Sequence, residues 1–222
     1  MFPTLYAILD PSLISTSLIP LAKNLANSGV RLIQLRDKKA SSRMLFAEAK
    51  GLADVLVPAG VQFIVNDRPD VAAICGASGV HLGQDDLPVE DARRIIGPAG
   101  WVGVSTHNPK QLREAVATSA DYIAVGPVFP TTTKANPDPV VGLELLREAR
   151  VLTKKPLVAI GGITIENAAA VFRAGADSVA VVRDLLAASD PGRRAKEFLA
   201  VAEAVRDGNS DFGAITARRE FS

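Results

Sequence analysis

Eight times along the chain a short apolar run, rich in β-branched residues, gives way to a longer stretch with apolar residues every three or four positions. The runs are Leu5–Leu9, Leu32–Leu35, Phe63–Val65, Gly79–Leu82, Trp101–Val104, Tyr122–Val125, Leu157–Ile160 and Ser178–Val182. The stretches that follow them are Leu18–Ala26, Ser41–Leu56, Pro69–Cys75, Pro88–Ile96, Pro109–Ala117, Val141–Leu152, Ile165–Ala174 and Gly192–Val205. The first set reads as strands and the second as helices. Ser41-Ser42, the prolines at 69, 88 and 109 and the glycines at 29 and 175 supply starts and stops. Strands alternating with helices pair in parallel through right-handed crossovers. Eight such units in 222 residues fit a single (β/α)8 TIM barrel of class α/β. An open doubly wound sheet is the alternative. It normally has fewer strands, and no dinucleotide-type glycine fingerprint follows the first run. The barrel is expected over residues 1–206, with 207–222 as a frayed, polar C-terminal extension.

Composition narrows the function classes. Apolar residues make up 48% of the chain, ample for a large core, and the net charge is +1. There is no electrostatic footprint for nucleic acid or an anionic membrane. The single cysteine, Cys75, excludes a disulfide framework or a cysteine-rich zinc site and is expected to be an inert core residue. No apolar stretch approaches the roughly 20 residues that span a bilayer. No signal peptide is visible, so a soluble cytoplasmic protein is expected.

In a barrel of this kind the chemistry sits at the carboxyl ends of the strands. Here those ends hand over to Asp10, Gln34-Leu35-Arg36-Asp37-Lys38, Asn66-Asp67-Arg68, Gly83-Gln84-Asp85-Asp86, Ser105-Thr106-His107-Asn108, the loop from Gly126 to Lys134, Gly161-Gly162 and Val182-Arg183-Asp184. Side chains alternate along a strand, so Gln34, Arg36 and Lys38 share the face toward the barrel mouth, while Ile33 and Leu35 face the helices. An amide, a guanidinium and an ammonium in one row suit a pyrophosphate. The competing reading is salt bridges to Asp37, Asp67 or Asp86. Asp67 and Asp86 end neighbouring strands and could hold Mg²⁺, which keeps several waters and takes other ligands from substrate phosphates. A helix cap is the plainer use of such aspartates, Asp85 above all. Gly161 and Gly162, with backbone N–H groups near Val182 and Arg183, suggest a monophosphate site, unless the glycines serve only a tight turn. The loop from Gly126 to Lys134 offers Thr131, Thr132, Thr133, a lysine and several free N–H groups, with Pro127 and Pro130 to stiffen it. His81 is expected to be structural. His107 could reach a ligand or bond to its own loop. No zinc spacing and no nucleophile elbow are present.

Six motifs, in order and at similar spacing, resemble the thiamine phosphate synthase family: Gln34-Leu35-Arg36-Asp37-Lys38, Val65-Asn66-Asp67-Arg68, His81-Leu82-Gly83-Gln84-Asp85-Asp86, Gly103-Val104-Ser105, the loop from Gly126 to Lys134, and Ala159-Ile160-Gly161-Gly162-Ile163. The resemblance runs from Leu5 to the region of Leu186. It implies a transferase that joins an aminopyrimidine diphosphate to a thiazole phosphate and releases pyrophosphate. By analogy Gln34, Leu35, Arg36, Asp37 and Lys38, with Asn66, Ser105 and Lys134, bind the pyrimidine diphosphate. Arg36, Lys38, Ser105 and Lys134 would serve catalysis. Asp67 and Asp86 would hold Mg²⁺, and Thr131, Thr132, Thr133, Gly162, Val182 and Arg183 the thiazole phosphate. Arg183 is a departure, because the family often has serine there. The implied partners are small phosphorylated molecules, with no nucleic acid and no membrane; a homo-oligomer remains compatible. A barrel that only isomerises the thiazole phosphate would not need Arg36, Lys38, Asp67 and Asp86. A non-catalytic ligand-binding barrel would be expected to have lost the metal aspartates or Lys134. A Schiff-base aldolase is disfavoured because Lys154 and Lys155 precede the seventh run, at the wrong end of the barrel.

Overall fold

The computed structural model describes residues 1–14, 16–132 and 138–208. Each apolar run is a strand: β1 (Leu5–Leu9), β2 (Leu32–Leu35), β3 (Gln62–Asn66), β4 (Gly79–Leu82), β5 (Trp101–Thr106), β6 (Tyr122–Val125), β7 (Leu157–Ile160) and β8 (Ser178–Val181). They pair in parallel in chain order, and β8 returns to β1, so the sheet closes into a barrel without an edge. Around it lie α1 (Leu18–Asn27), α2 (Ser42–Leu56), α3 (Pro69–Cys75), α4 (Val89–Ile96), α5 (Pro109–Ala117), α6 (Gly142–Leu152), α7 (Ile165–Arg173), the short α8 (Arg183–Leu186) and α9 (Pro191–Arg206). Local chemistry sets many of the helix starts. Ser41, Asn108 and Asp190 cap α2, α5 and α9 through their side chains. Among the described residues no helix is long and apolar enough to cross a membrane.

The expected boundaries shift by one or two residues. Strand β5 runs on to Thr106, because Ser105 and Thr106 still pair with β6. Pro88 and Val141 precede α4 and α6 instead of opening them; Pro88 is extended, with ψ 147°. A 3-10 turn at Pro11–Leu13 and the four-residue α8 were not foreseen, since neither is long enough to show a helical period.

Alternation along the strands produces two cores. Ile33, Leu35, Phe63, Val65, Ile123 and Val125 face outward and pack under the helices with Cys75, Leu25, Leu52 and Phe198. Tyr6, Ile8, Leu32, Ile64, Tyr122, Ala124, Val158 and Ala180 fill the barrel itself. Phe2 stacks on Trp101, with centroids 5.3 Å apart and planes 16° from parallel, beside Tyr122. Tyr122 fits only because Gly103 stands next to it. A Cβ at Gly103 would lie 2.0 Å from Tyr122 Cζ. Gly103→Ala is therefore expected to cost about 1–3 kcal/mol through overpacking, read as a lower urea midpoint with unchanged slope. An unchanged midpoint would mean that the ring is not confined as described.

Candidate active site

The strand ends open into a cavity of about 320 Å³. Its lower wall is apolar, made by Ile8, Ala124, Val158, Ile160 and Ala180, and its rim is polar. Strand β2 delivers the cationic row. Gln34 is 2% exposed, and Arg36 and Lys38 follow it along the same cavity wall. Leu35 points the other way into the outer core, and Asp37 turns its carboxylate back on its own loop, accepting from the N–H groups of Lys39 and Ala40. These two residues are not brought to the cavity.

Both cations have carboxylate partners. Arg36 Nη1 donates to Asp10 Oδ2 at 2.8 Å. Asp10 is buried at the end of β1 and also accepts from the N–H and hydroxyl of Ser12, which fixes its orientation. Lys38 Nζ lies 3.0 Å from Asp67 Oδ2. The salt bridges weighed against an anion site thus exist, although Arg36 uses Asp10. Lys38 is half exposed, so its pair contributes little to stability and an incoming anion can exchange for it.

Asp67 follows β3 with φ 63°, a left-handed conformation that aspartate tolerates better than most residues. Its N–H donates to His81 O at 2.8 Å, which fixes the turn to β4. That turn brings its carboxylate to Asp86, whose Oδ2 accepts from Gly83 N–H at 2.6 Å. Burial pushes the Asp86 carboxyl above its usual range; hydrogen bonding to Asp67 and that carboxylate's charge add to the rise, while Gly83 N–H and Lys38 pull the other way. The cap of α4 falls at Pro88, so neither Asp85 nor Asp86 is spent there. Among the described residues no group of three or more His, Cys, Asp and Glu side chains is gathered as for a metal. Two crowded carboxylates nonetheless fit Mg²⁺, which needs only one or two from the protein. A divalent cation would offset the part of that rise that comes from the Asp67 charge.

Across the cavity, β6 and β7 continue side by side into their loops. Val128 N–H donates to Ile160 O at 2.8 Å, Phe129 N–H to Gly161 O at 3.0 Å and Gly126 N–H to Thr106 O at 3.1 Å. The expectation of free N–H groups therefore fails for these three, because extended strand pairing consumes them. Gly161 and Gly162 adopt φ 98° and 62°. A Cβ would lie 2.5 Å from Pro127 Cα at Gly161 and 2.4 Å from Pro130 O at Gly162, so the pair serves both the turn and a close approach. Thr131, Thr132, Gly162, Val182 and Arg183 all line the cavity. The exposed guanidinium of Arg183 donates to Thr132 O at 3.2 Å, while Asp184 pairs with Arg194 at 3.4 Å. Thr133 and Lys134 lie outside the described residues.

Both histidines reach the cavity. His107 Nδ1–H donates to Gly126 O at 2.6 Å, and its Nε2 lies 3.5 Å from Asp138 Oδ2. His81 bonds Tyr122 Oη and Ser105 Oγ, and it lines the cavity beside Asn66 and Ser105. Its structural role and its place in the site are thus the same contacts. Nothing in the sequence singles out Tyr6 or Asp138 for the site, and Asp10 is flagged only by its place at the end of the first strand, without a role.

The family model described as thiamine monophosphate synthase matches residues 5–185. A thiamine-phosphate synthase of Koribacter versatilis is 52% identical over 206 residues, covering 90% of this chain and 95% of that one. The chain belongs to the thiamine-phosphate synthase family. It is an enzyme, a transferase. The thiamine-phosphate synthase of Xanthobacter autotrophicus is 42% identical over 204 residues, covering 91% of this chain and 97% of that one. Among solved structures, thiamine phosphate pyrophosphorylase from Pyrococcus furiosus superposes with a TM-score of 0.82 at 35% identity, over 91% of this chain and 96% of that one. In this synthase-family barrel the carboxylate pair gives a direct test. Asp67→Asn removes the neighbouring charge and keeps a residue tolerant of positive φ. The Asp86 carboxyl is then expected to titrate lower, followed by its ¹³C shift; an unmoved titration would show that burial alone sets it.

Proposed function

We propose that the chain joins an aminopyrimidine diphosphate to a thiazole phosphate, forming thiamine phosphate and releasing pyrophosphate. The observation that carries this reading is one cavity that faces the cations of β2 toward the glycine-hinged loops of β6 and β7. It thereby offers two candidate anion sites in one cavity.

Gln34, Arg36 and Lys38, with Asn66, Ser105 and Lys134, hold the pyrimidine diphosphate. Leu35 and Asp37 support that stretch from behind, one in the outer core and one across its turn. Thr131, Thr132, Thr133, Gly162 and the chain at Val182 and Arg183 take the thiazole phosphate. Asp67 and Asp86 hold Mg²⁺. When bound, that ion supplies positive charge to the departing pyrophosphate. The protein does the rest by placement. Lys38 leaves its carboxylate for phosphate oxygens and Arg36, still held by Asp10 through Nη1, turns its remaining N–H groups to them, where charge-assisted bonds strengthen as the leaving group gains charge. The ring amine of the pyrimidine delocalises the positive charge left on its methylene, so loss of pyrophosphate can precede attack. The apolar wall of Ile8, Ala124, Val158 and Ile160 keeps water from that cation. The opposite loops hold the thiazole nitrogen within reach. No protein nucleophile is needed. Phosphorylated substrates, which do not cross membranes unaided, suit a cytoplasmic enzyme.

Incubating the pure protein with both substrates should release pyrophosphate with Mg²⁺ present and far less without it. Absence of release in both conditions would sink the reading. Arg183→Ser should leave turnover within a few-fold, because the guanidinium is exposed and its hydrogen bond is to the Thr132 carbonyl. A loss of thiazole-phosphate binding beyond about tenfold, roughly 1.4 kcal/mol, would instead place the guanidinium on the phosphate.

A further inference from the structure

One continuous hydrogen-bonded chain crosses the inside of the barrel beneath the cavity. Gln34 Nε2 donates to Tyr6 Oη at 2.6 Å, and Tyr6 Oη lies 3.0 Å from Tyr122 Oη. Tyr122 Oη lies 3.0 Å from His81 Nδ1, and His81 Nε2 lies 2.8 Å from Ser105 Oγ. Five strands contribute one residue each: β1, β2, β4, β5 and β6. The middle of the chain is buried, with Tyr6 at 1%, Tyr122 at 0% and His81 at 7% exposure. Its ends, Gln34 and Ser105, line the cavity.

Counting protons gives the chain a direction. A phenol has one proton to give. Gln34 donates to Tyr6, so the Tyr6 proton is left for Tyr122; turned elsewhere it would be buried without an acceptor, at a cost of about 1–3 kcal/mol. Tyr122 then spends its own proton on His81 Nδ1, which must be bare. A His81 ring with one proton then carries it on Nε2 and donates to Ser105 Oγ. Burial, as the largest effect, holds both phenols well above their ordinary range, so neither becomes a phenolate that could accept from both sides. Ser105 thereby spends one lone pair on His81 and keeps its own proton for the cavity. Gln34 has committed an N–H to Tyr6, and its Oε1 remains to accept.

We propose that Tyr6, Tyr122 and His81 are positioning residues that fix the hydrogen-bond polarity of the cavity floor, so that Ser105 meets the ligand as a donor and Gln34 as an acceptor. This rests on the reading of the cavity as a pyrimidine site. A ring edge with an amino donor beside an acceptor nitrogen fits such a floor. The corresponding oxo ring, with a carbonyl acceptor beside a ring N–H, presents the reverse pattern. Neither end of the floor can reverse alone without leaving a buried phenol unpaired: both must reverse together, with the Gln34 amide turned over and the His81 proton moved to Nδ1. The relay therefore favours amino- over oxopyrimidines by setting both ends at once, although its three central residues are not assigned a place on the reacting atoms.

The test begins with the ligand-free protein. The chain has two histidines. ¹⁵N NMR of the imidazoles should show His107 protonated on Nδ1, where it donates to a carbonyl, and His81 protonated on Nε2. Tyr122→Phe should shift His81 toward the other tautomer. An Nδ1–H tautomer of His81 in the unaltered protein, or one indifferent to Tyr122→Phe, overturns the proposal. Kinetically, Tyr122→Phe should lower kcat/KM for the pyrimidine diphosphate by about tenfold, the scale of one buried hydrogen bond, and leave KM for the thiazole phosphate unmoved. In a Ser105→Ala background the same change should cost nothing further. Losses that multiply in the double variant would show that Tyr122 does not act through Ser105. If the unaltered protein released no pyrophosphate, the function would be wrong while the tautomer result still judged the relay. An active enzyme with an unmoved tautomer would sink the relay alone.

Discussion

A barrel of short strands stands only if its inside is filled, and here two tyrosines do much of the filling. Tyr6 and Tyr122 meet edge to face at 5.9 Å, and Gly103 leaves the room that Tyr122 needs. Aromatic rings bring a large buried area, but each phenol also brings a polar atom that must be satisfied far from water. The hydroxyls bond each other and then reach Gln34 on one side and His81 on the other. The interior polar residues of β2 and β4 answer a packing decision made in β1 and β6. Because Gln34 and His81 also line the cavity, the answer also shapes the site. Filling the barrel and orienting Ser105 are therefore one problem.

The charged rim follows a similar logic. Three carboxylates and two cations crowd one side of the mouth: Asp10, Asp67 and Asp86 against Arg36 and Lys38. Without ligand the account comes near balance, Arg36 with Asp10 and Lys38 with Asp67. Among the described residues Asp86 adds a third carboxylate to this side; burial is the largest cause of its raised carboxyl, and Asp67 adds to it. Such an arrangement would suit a cation and a phosphate arriving together: a cation there would quiet Asp67 and Asp86, and Lys38 would be free to turn to the anion. Asp10 differs, being more buried and tied to Ser12, so it keeps Arg36 pointed where β2 leaves it.

Periodicity carried most of the fold in legible form, because period two and period 3.6 differ sharply and eight repeats leave little room for another topology. The cationic row of β2 was legible for the same reason: side-chain alternation is geometric. What stayed hidden required knowledge of contacts across the ring. Tyr6 and Tyr122 read as ordinary core residues in apolar runs, and nothing local announces that their hydroxyls meet over 116 positions of sequence. Asp10 and Arg36 stand 26 positions apart and become partners only because β1 and β2 are neighbours in register. Composition suggested free N–H groups in the loop after β6, yet the chain at the end of β7 takes up those at 128 and 129, and Thr106 of β5 takes up the one at 126. His81 shows the limit of sorting residues into structural or functional. It bonds a core phenol with one nitrogen and a cavity hydroxyl with the other.

The loop after β6 gains a different meaning from that pairing. Its first residues are not a flexible cradle but an extra rung of sheet laid against the chain after β7. Gly161 and Gly162 exist in the form they do because Pro127, Phe129 and Pro130 press on them, leaving no space for a Cβ at either position. The threonines begin only where this clamp ends. Thr131 and Thr132 are consequently set by the backbone of β7 as much as by their own strand. Arg183 adds a third anchor from α8, through the Thr132 carbonyl. The proposed monophosphate site would then be made of two loops and one helix start, held by main-chain bonds. Side-chain identity at position 183 would matter less than the path of the backbone, which leaves room for an arginine there.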